Sequence, residues 1–147
     1  MPSLETAAQS LKVVPITAPV HDEAEIEVAI TALGRDPEGG LVVMPDGFTT
    51  THRAPIISAA ARNKVPAVYS LSGFVREGGL LSYGVDQVDL FRRAASYVDR
   101  ILRGEKPGDL PVHFPTKFEM VVNRKTAKAL GLAIPPSIML RADEVIE

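Results

Sequence analysis

The chain has 147 residues, of which 46% are hydrophobic and 23% are charged, and its formal net charge is −2. These values fit one compact domain and exclude a disordered chain or a basic surface for nucleic acid. The absence of cysteine excludes thiol nucleophiles, disulfides and thiolate metal sites, and no apolar run reaches the roughly 18 residues that a membrane-spanning helix needs.

The first predicted elements are a helix, an extended segment and a second helix. The first helix covers residues 3–11, with Ser3 as its N-cap. Residues 12–17 form an extended, largely apolar segment. Asp22, followed three residues later by Glu25, is a capping box that begins the second helix.

A strand, helix, strand pattern follows. Two short apolar segments, Leu41 to Met44 and Pro66 to Tyr69, each end in a small polar turn, and an alanine-rich helical pattern over residues 51–63 lies between them. The strands of such a unit are parallel and their connection is right-handed. Asp46 and Ser70, just past the strand ends, are therefore expected at one edge of the sheet, where open α/β sheets bind small molecules.

The second half of the chain contains the clearest amphipathic helix, Gln87 to Arg103, with apolar side chains on one face and mostly charged ones on the other. The remaining predictions are an irregular stretch up to residue 79, a strand over 80–83, an exposed connector over 105–112, a strand over 117–123, a helix over 125–130 capped by Asn123, and a short surface tail from residue 135.

Together these patterns predict a single α/β domain over residues 1–147, with an open parallel sheet and helices on both of its faces. The uniformly apolar strand at residues 41–44 is typical of a strand that is covered on both sides.

The candidate ligand contacts lie in the turns that follow the predicted strands. Asp46 and Asp86 can accept from an ammonium, and Ser70 and Ser72 can donate to a carboxylate. Gly84 would allow the backbone to approach a ligand closely, an interpretation that we weigh equally with a simple turn.

Three of the eight aromatic residues, Tyr69, Phe74 and Tyr83, fall within one 15-residue window. Their clustering near one edge predicts a pocket wall that packs against a flat ligand. Core packing explains each of them singly.

Each polar candidate also has a purely structural interpretation. Asp46 lies in Pro45-Asp46-Gly47, a strong turn signal, and an isolated serine or aspartate after a strand is commonly a loop cap. His52 is a conceivable base near the same edge, but no nucleophile has the spacing of a known motif. His21 belongs to an acidic helix start, and His113 receives no role.

No pattern of glycines or metal ligands predicts a cofactor. The dinucleotide fingerprint G-x-G-x-x-G and the Walker lysine loop are both absent from the sequence. We therefore expect no cofactor, no metal and no catalytic residue.

Five runs of residues stand out as a set: GGLVVMPD at 39–46, KVPAVY at 64–69, GLLSYGVD at 79–86, VDRILRGEKPGDLPV at 98–112 and FEMVVNRKTAKALG at 118–131. This combination resembles the substrate-binding proteins of ABC transporters, in the group whose better-known members take up tryptophan or tyrosine. The resemblance covers nearly the whole chain.

The resemblance implies two α/β lobes that close on a ligand and hand it to a membrane permease. This chain resembles only the second lobe of such a type I periplasmic binding protein, and residues 84–112 would contain the segment that crosses back to the first lobe. Family members are expected in the periplasm or at the cell surface. The start of this chain lacks the features of a signal peptide, so a protein made from Met1 would be cytoplasmic.

By position, the resemblance places ligand contacts at Pro45-Asp46, Ser70-Leu71-Ser72 and Gly84-Val85-Asp86. The function that follows is non-catalytic binding of an amino acid or a similar small polar molecule. Two alternatives are a small flavodoxin-like enzyme in which His52 and Asp46 relay protons, and a module that only associates and binds no ligand alone.

The long helix at residues 87–103 would lack the sheet that it covers in a two-lobed protein. At roughly 25 cal/mol per Å², burial of its apolar face is worth several kcal/mol, too much for a stable monomer to leave in water. We therefore expect a homodimer or an exchange of this helix between chains.

Overall fold

A computed structural model of the chain describes the backbone of residues 2–147 and the side chains from Leu4 onward. The predicted N-cap Ser3 falls inside the first helix, and its side chain lies outside the described residues. The elements are α1 (Pro2–Ser10), α2 (Glu23–Leu33), β1 (Leu41–Val43), α3 (Gly47–Thr51), α4 (Arg53–Arg62), β2 (Ala67–Tyr69), α5 (Ser72–Arg76), β3 (Leu81–Val85), α6 (Gln87–Leu102), a 3-10 turn (Pro107–Asp109), β4 (Phe118–Asn123), α7 (Arg124–Ala129), α8 (Pro136–Met139) and β5 (Glu144–Ile146).

The five strands form one open sheet in the order β1-β2-β3-β4-β5, which confirms the α/β class. Three of the pairings are parallel, and β3 with β4 is antiparallel, so the sheet is mixed rather than wholly parallel. The antiparallel register pairs Val85 with Phe118. The chain therefore leaves β3 and returns to β4 at the same edge of the sheet.

Helices α2, α4 and α5 pack on one face of the sheet. The steps from β1 to β2 and from β2 to β3 run in the same direction, so right-handed connections place α4 and α5 on the same side. Strand residues alternate between faces, and those facing these helices are buried. The core on this face is built from Ile26, Ile30, Val43, Ile56, Ile57, Ala59, Ala60, Val65, Ala67, Tyr69, Phe74, Val75 and Val121.

The opposite face of the sheet is less covered. Val42 is 56% exposed, and Val68 and Val145, which lie on the same face, are also exposed. The expectation that β1 is covered on both sides is therefore wrong. Its apolar sequence shows only that both faces can pack, and not that both do.

Side-chain caps begin several helices at the predicted places. The Asp22 carboxylate accepts from the Glu25 backbone N–H at 2.8 Å, and the Asn123 side chain accepts from the Thr126 N–H at 3.0 Å. Both caps were predicted, since aspartate and asparagine satisfy a free N–H of the first helical turn.

The remaining differences from the predictions concern short elements. The stretch after β2 contains the helix α5, and α3 precedes α4 as a separate short helix. The tail from residue 135 contains α8 and the paired strand β5. Residues 12–17 form no strand and are exposed.

Helix α6 and the segment that follows it form an arm, defined here as residues 86–117. The Tyr97 hydroxyl donates to the Pro111 carbonyl at 2.7 Å, and Arg100 pairs with Glu105, so the returning segment is fixed to the helix. None of the α6 residues, all of which are described, is buried. Its amphipathic character was predicted correctly, and its apolar face lies in solvent, with Phe91 72% exposed.

Candidate functional site

Three polar turns meet at one edge of the sheet. Asp46 follows β1, Ser70 follows β2, and Asp86 follows β3, and these three strands are parallel neighbours. Adjacent strands lie about 4.8 Å apart, so the three turns span a surface about 10 Å wide. This edge is the candidate site.

Gly84 lies directly against the turn after β2. A Cβ atom at residue 84 would come within 1.9 Å of the Ser70 carbonyl oxygen and 2.9 Å of its carbonyl carbon. Only a residue without a side chain fits this contact. The close approach at Gly84 is to the Ser70 backbone, and the predicted approach to a ligand stays a prediction.

Asp86 is held by three interactions where the arm joins the sheet. Its carboxylate accepts from the Asp89 N–H at 3.0 Å and caps α6, and it lies 2.7 Å from the Lys117 ammonium nitrogen. Its own N–H donates to the Lys117 carbonyl at 3.1 Å. The departing and returning segments of the arm are therefore tied together.

The ion pair shifts the pKa values of Asp86 and Lys117 in the directions that favour their charged forms. The Lys117 ammonium, with help from the Asp89 N–H, lowers the pKa of the Asp86 carboxyl, and the same carboxylate raises the pKa of Lys117. Both groups are therefore charged at neutral pH. The site contains an anion and a cation side by side.

Asp46, Ser70 and Ser72 lie at the same edge, and Asp46 and Ser72 each make a local side-chain hydrogen bond. The Asp46 carboxylate accepts from the Thr49 N–H at 2.9 Å and caps α3, which matches its turn-capping interpretation. The Ser72 hydroxyl accepts from Arg76 at 3.1 Å. Asp46 is exposed and has a second carboxylate oxygen besides the one that caps α3, so it can also accept from a ligand.

The predicted aromatic wall separates into two pairs. Tyr69 and Phe74 are each 2% exposed and stack on one another in the core, with ring centres 4.8 Å apart. Because both rings are buried, their assignment to a pocket wall is wrong. Burial also raises the pKa of Tyr69 to about 12. Tyr83 is half exposed and stacks on Phe118 at 5.8 Å, beside the arm.

The histidines do not assemble an acid–base site. His52 stacks on Phe48, and its Nδ1 lies 2.9 Å from the Phe48 carbonyl oxygen, so this nitrogen carries the proton. His21 lies 3.0 Å from Glu25, and His113 lies 2.9 Å from the Tyr97 hydroxyl. In the alternative function, His52 and Asp46 would relay protons between them. In the structure, each of these two side chains is instead hydrogen-bonded to another group.

Within residues 4–147 no three histidine or acidic side chains are close enough together to hold a metal ion. Over the described part of the chain, no helix combines the length and the apolar character that crossing a bilayer requires.

A groove of about 840 Å³ lies at the opposite edge of the sheet. Its lining includes Arg124, Lys128, Ile134 and Met139, and none of the predicted site residues. It lies there because β4 runs antiparallel to β3, so α7 begins at the edge remote from Asp86. The groove is therefore separate from the candidate site.

The model of the family described as ABC transporter substrate binding protein matches residues 3–146. The chain belongs to the ABC transporter substrate-binding protein family. A curated relative, the tyrosine-binding protein of Clostridioides difficile (strain R20291), is 29% identical over 114 residues, which cover 77% of this chain and 32% of the relative.

Two solved structures of similar fold extend the match to almost every residue. One is the ABC domain in complex with L-Trp from Streptococcus pneumoniae, with a TM-score of 0.86 and 27% identity over 99% of this chain. The other is a conserved domain protein from Vibrio cholerae, with a TM-score of 0.87 and 25% identity over the same share. This family member spans about half the length of those two structures, 50% and 49% respectively.

Two residues of the site were missed by the sequence-based prediction. Lys117 and Phe118 were assigned only to the start of a strand, yet they lie beside Asp86 and Tyr83. The sequence contains no signal for this, because their position depends on β4 pairing antiparallel with β3.

Proposed function

We propose that this family member forms one lobe of a solute-binding protein and holds a small zwitterion, an amino acid or a close analogue, at the edge where β1, β2 and β3 end. The observation that carries the proposal is the contact of Gly84 with the Ser70 backbone. It joins two of the three turns and places the charged pair of Asp86 and Lys117 beside them.

The chemistry of the edge suits an amino acid. The exposed Asp46 carboxylate and the exposed Lys117 ammonium can bind an ammonium and a carboxylate, and the half-buried Ser70 and Ser72 lie beside them. The exposed stack of Tyr83 and Phe118 offers a flat apolar surface. The tyrosine-binding relative and the neighbour in complex with L-Trp support an aromatic side chain on the ligand. The role is non-catalytic, and delivery to an ABC permease, in the periplasm or at the cell surface, belongs to the same proposal.

Thermal unfolding with L-tryptophan, L-tyrosine and a panel of other amino acids tests this proposal. A ligand at 100 times its dissociation constant adds about 2.7 kcal/mol, which raises the midpoint of a domain of this size by several degrees. We expect this shift with an aromatic amino acid and a smaller one after Asp46→Ala.

Asp22→Ala is the matched control, because each substitution removes one N-cap and costs about 1 kcal/mol. Only the change at Asp46 is expected to reduce the response to ligand. A midpoint that no amino acid moves would contradict ligand binding by this chain and favour the module that only associates.

We further propose that the apolar face of α6 is covered in solution, by the first lobe of a two-lobed chain or, where this chain is alone, by a second copy. The support is the exposure of Val88, Phe91, Val98 and Leu102 along one helix. A monomer that exposes this stripe would leave a contiguous apolar patch in water.

The 147-residue chain is therefore expected to elute as a dimer in gel filtration with light scattering. Phe91→Glu should convert it to a monomer, because a carboxylate would be buried in the contact. Ser96→Glu places the same charge on the polar face and should leave the dimer intact. Wild-type protein that remains monomeric at high concentration would contradict the homodimer.

A further inference from the structure

Lys117 lies at the candidate site and has unused binding capacity. Its ammonium group has three N–H donors, and one of them is directed to Asp86 at 2.7 Å. The side chain is 59% exposed, so the other donors face solvent at the edge of the sheet.

Asp86, in contrast, is almost fully engaged. One carboxylate oxygen accepts from the Asp89 N–H and the other from Lys117, and the side chain is only 12% exposed. An incoming ammonium would have to compete with both partners. An incoming carboxylate meets no such competition at Lys117.

The position of Lys117 relative to the turns is fixed by a chain of contacts. Gly84 touches Ser70, Asp86 follows Gly84 by two residues, and two hydrogen-bonding interactions join Asp86 to Lys117. Lys117 therefore lies at the edge formed by the ends of β2 and β3, although it is the last residue of the arm.

We propose that Lys117 binds the carboxylate of the ligand and that Asp86 is a positioning residue that holds the ammonium group in place. The proposal rests on the amino acid-binding function proposed above and assigns the ligand carboxylate to one residue. Two other charged groups act on Lys117 in opposite directions, since Asp89 raises its pKa and Arg92 lowers it.

Isothermal titration of the chain with L-tryptophan and with L-tryptophanamide, which lacks the carboxylate, tests the assignment. Lys117→Met removes a hydrogen bond between two charged groups, so we expect it to weaken L-tryptophan binding by about tenfold to a hundredfold. The amide should bind equally well to the wild type and the variant, so that the two ligands become similar in affinity. Lys117→Arg, which keeps the charge, should restore most of the preference for L-tryptophan.

Lys125→Met is the control, since Lys125 is an exposed lysine on α7 at the opposite edge and should change neither affinity. Equal weakening of both ligands by Lys117→Met would overturn the proposal, because the lysine would then act only through the fold. Unchanged L-tryptophan binding would also overturn it while leaving the proposed function intact. A wild-type chain that binds neither compound would overturn both.

Discussion

Gly84→Ala is expected to lower the free energy of unfolding by about 3 kcal/mol and to abolish the ligand-induced shift. The new Cβ would lie 1.9 Å from the Ser70 carbonyl oxygen, well inside the contact distance of two atoms. Relief requires movement of backbone, since the obstructing atoms belong to the main chain. The pairing of β3 with both β2 and β4 resists that movement.

The comparison with Gly73→Ala isolates this steric effect. No atom lies within 4 Å of a Cβ at residue 73, which is inside α5, so alanine there should be neutral or stabilising by less than about 1 kcal/mol. Urea unfolding of both variants measures the difference. Equal stability of the two would show that the turn after β2 moves freely and that the edge is not pre-formed.

Gly84 is also an example of what the sequence can and cannot predict about the site. From the sequence, Gly84 was expected either to let the backbone approach a ligand or to form a simple turn. The contact with Ser70 was not predicted, because the sequence does not show that the two turns touch. The partner is the main chain of the neighbouring turn, and any ligand must bind around this contact.

The local signals in the sequence were reliable where one residue determines the structure. Asp22 and Asn123 cap their helices as predicted, and the apolar runs at β1 and β2 form parallel strands. The short elements α3, α5, α8 and β5 were missed, since elements of three to five residues show no periodicity and are stable only when they pack against neighbouring elements.

The ion pair of Asp86 and Lys117 could not be predicted from the sequence, for a different reason. Asp86 was selected correctly as an edge residue, but its engagement by Lys117 depends on contact across 31 positions in the chain. Such a pair requires knowledge of the antiparallel return of β4. The prediction of Asp86 as an ammonium ligand thus gives way to the proposal that it orients a cation.

Phe74→Ala is expected to destabilise the chain most among the aromatic substitutions, by about 4 kcal/mol. The ring is 2% exposed and packs against Tyr69, so its removal leaves a cavity under β2 in addition to the lost burial. Phe118→Ala is the matched control. That ring is 46% exposed and stacks on Tyr83, and its loss should cost about 1 kcal/mol.

The Phe74 variant should be the less stable of the two, but the Phe118 variant should have the lower affinity for ligand when binding is measured below their unfolding temperatures. The Phe118 variant should bind L-tryptophan more weakly, because it loses one of the two rings of the exposed aromatic stack near the site. The folded fraction of the Phe74 variant should bind it nearly as the wild type does, since Phe74 contacts the core and not the edge. The reverse order of affinities would mean that the ligand enters between β2 and α5, and that the buried aromatic pair opens to admit it.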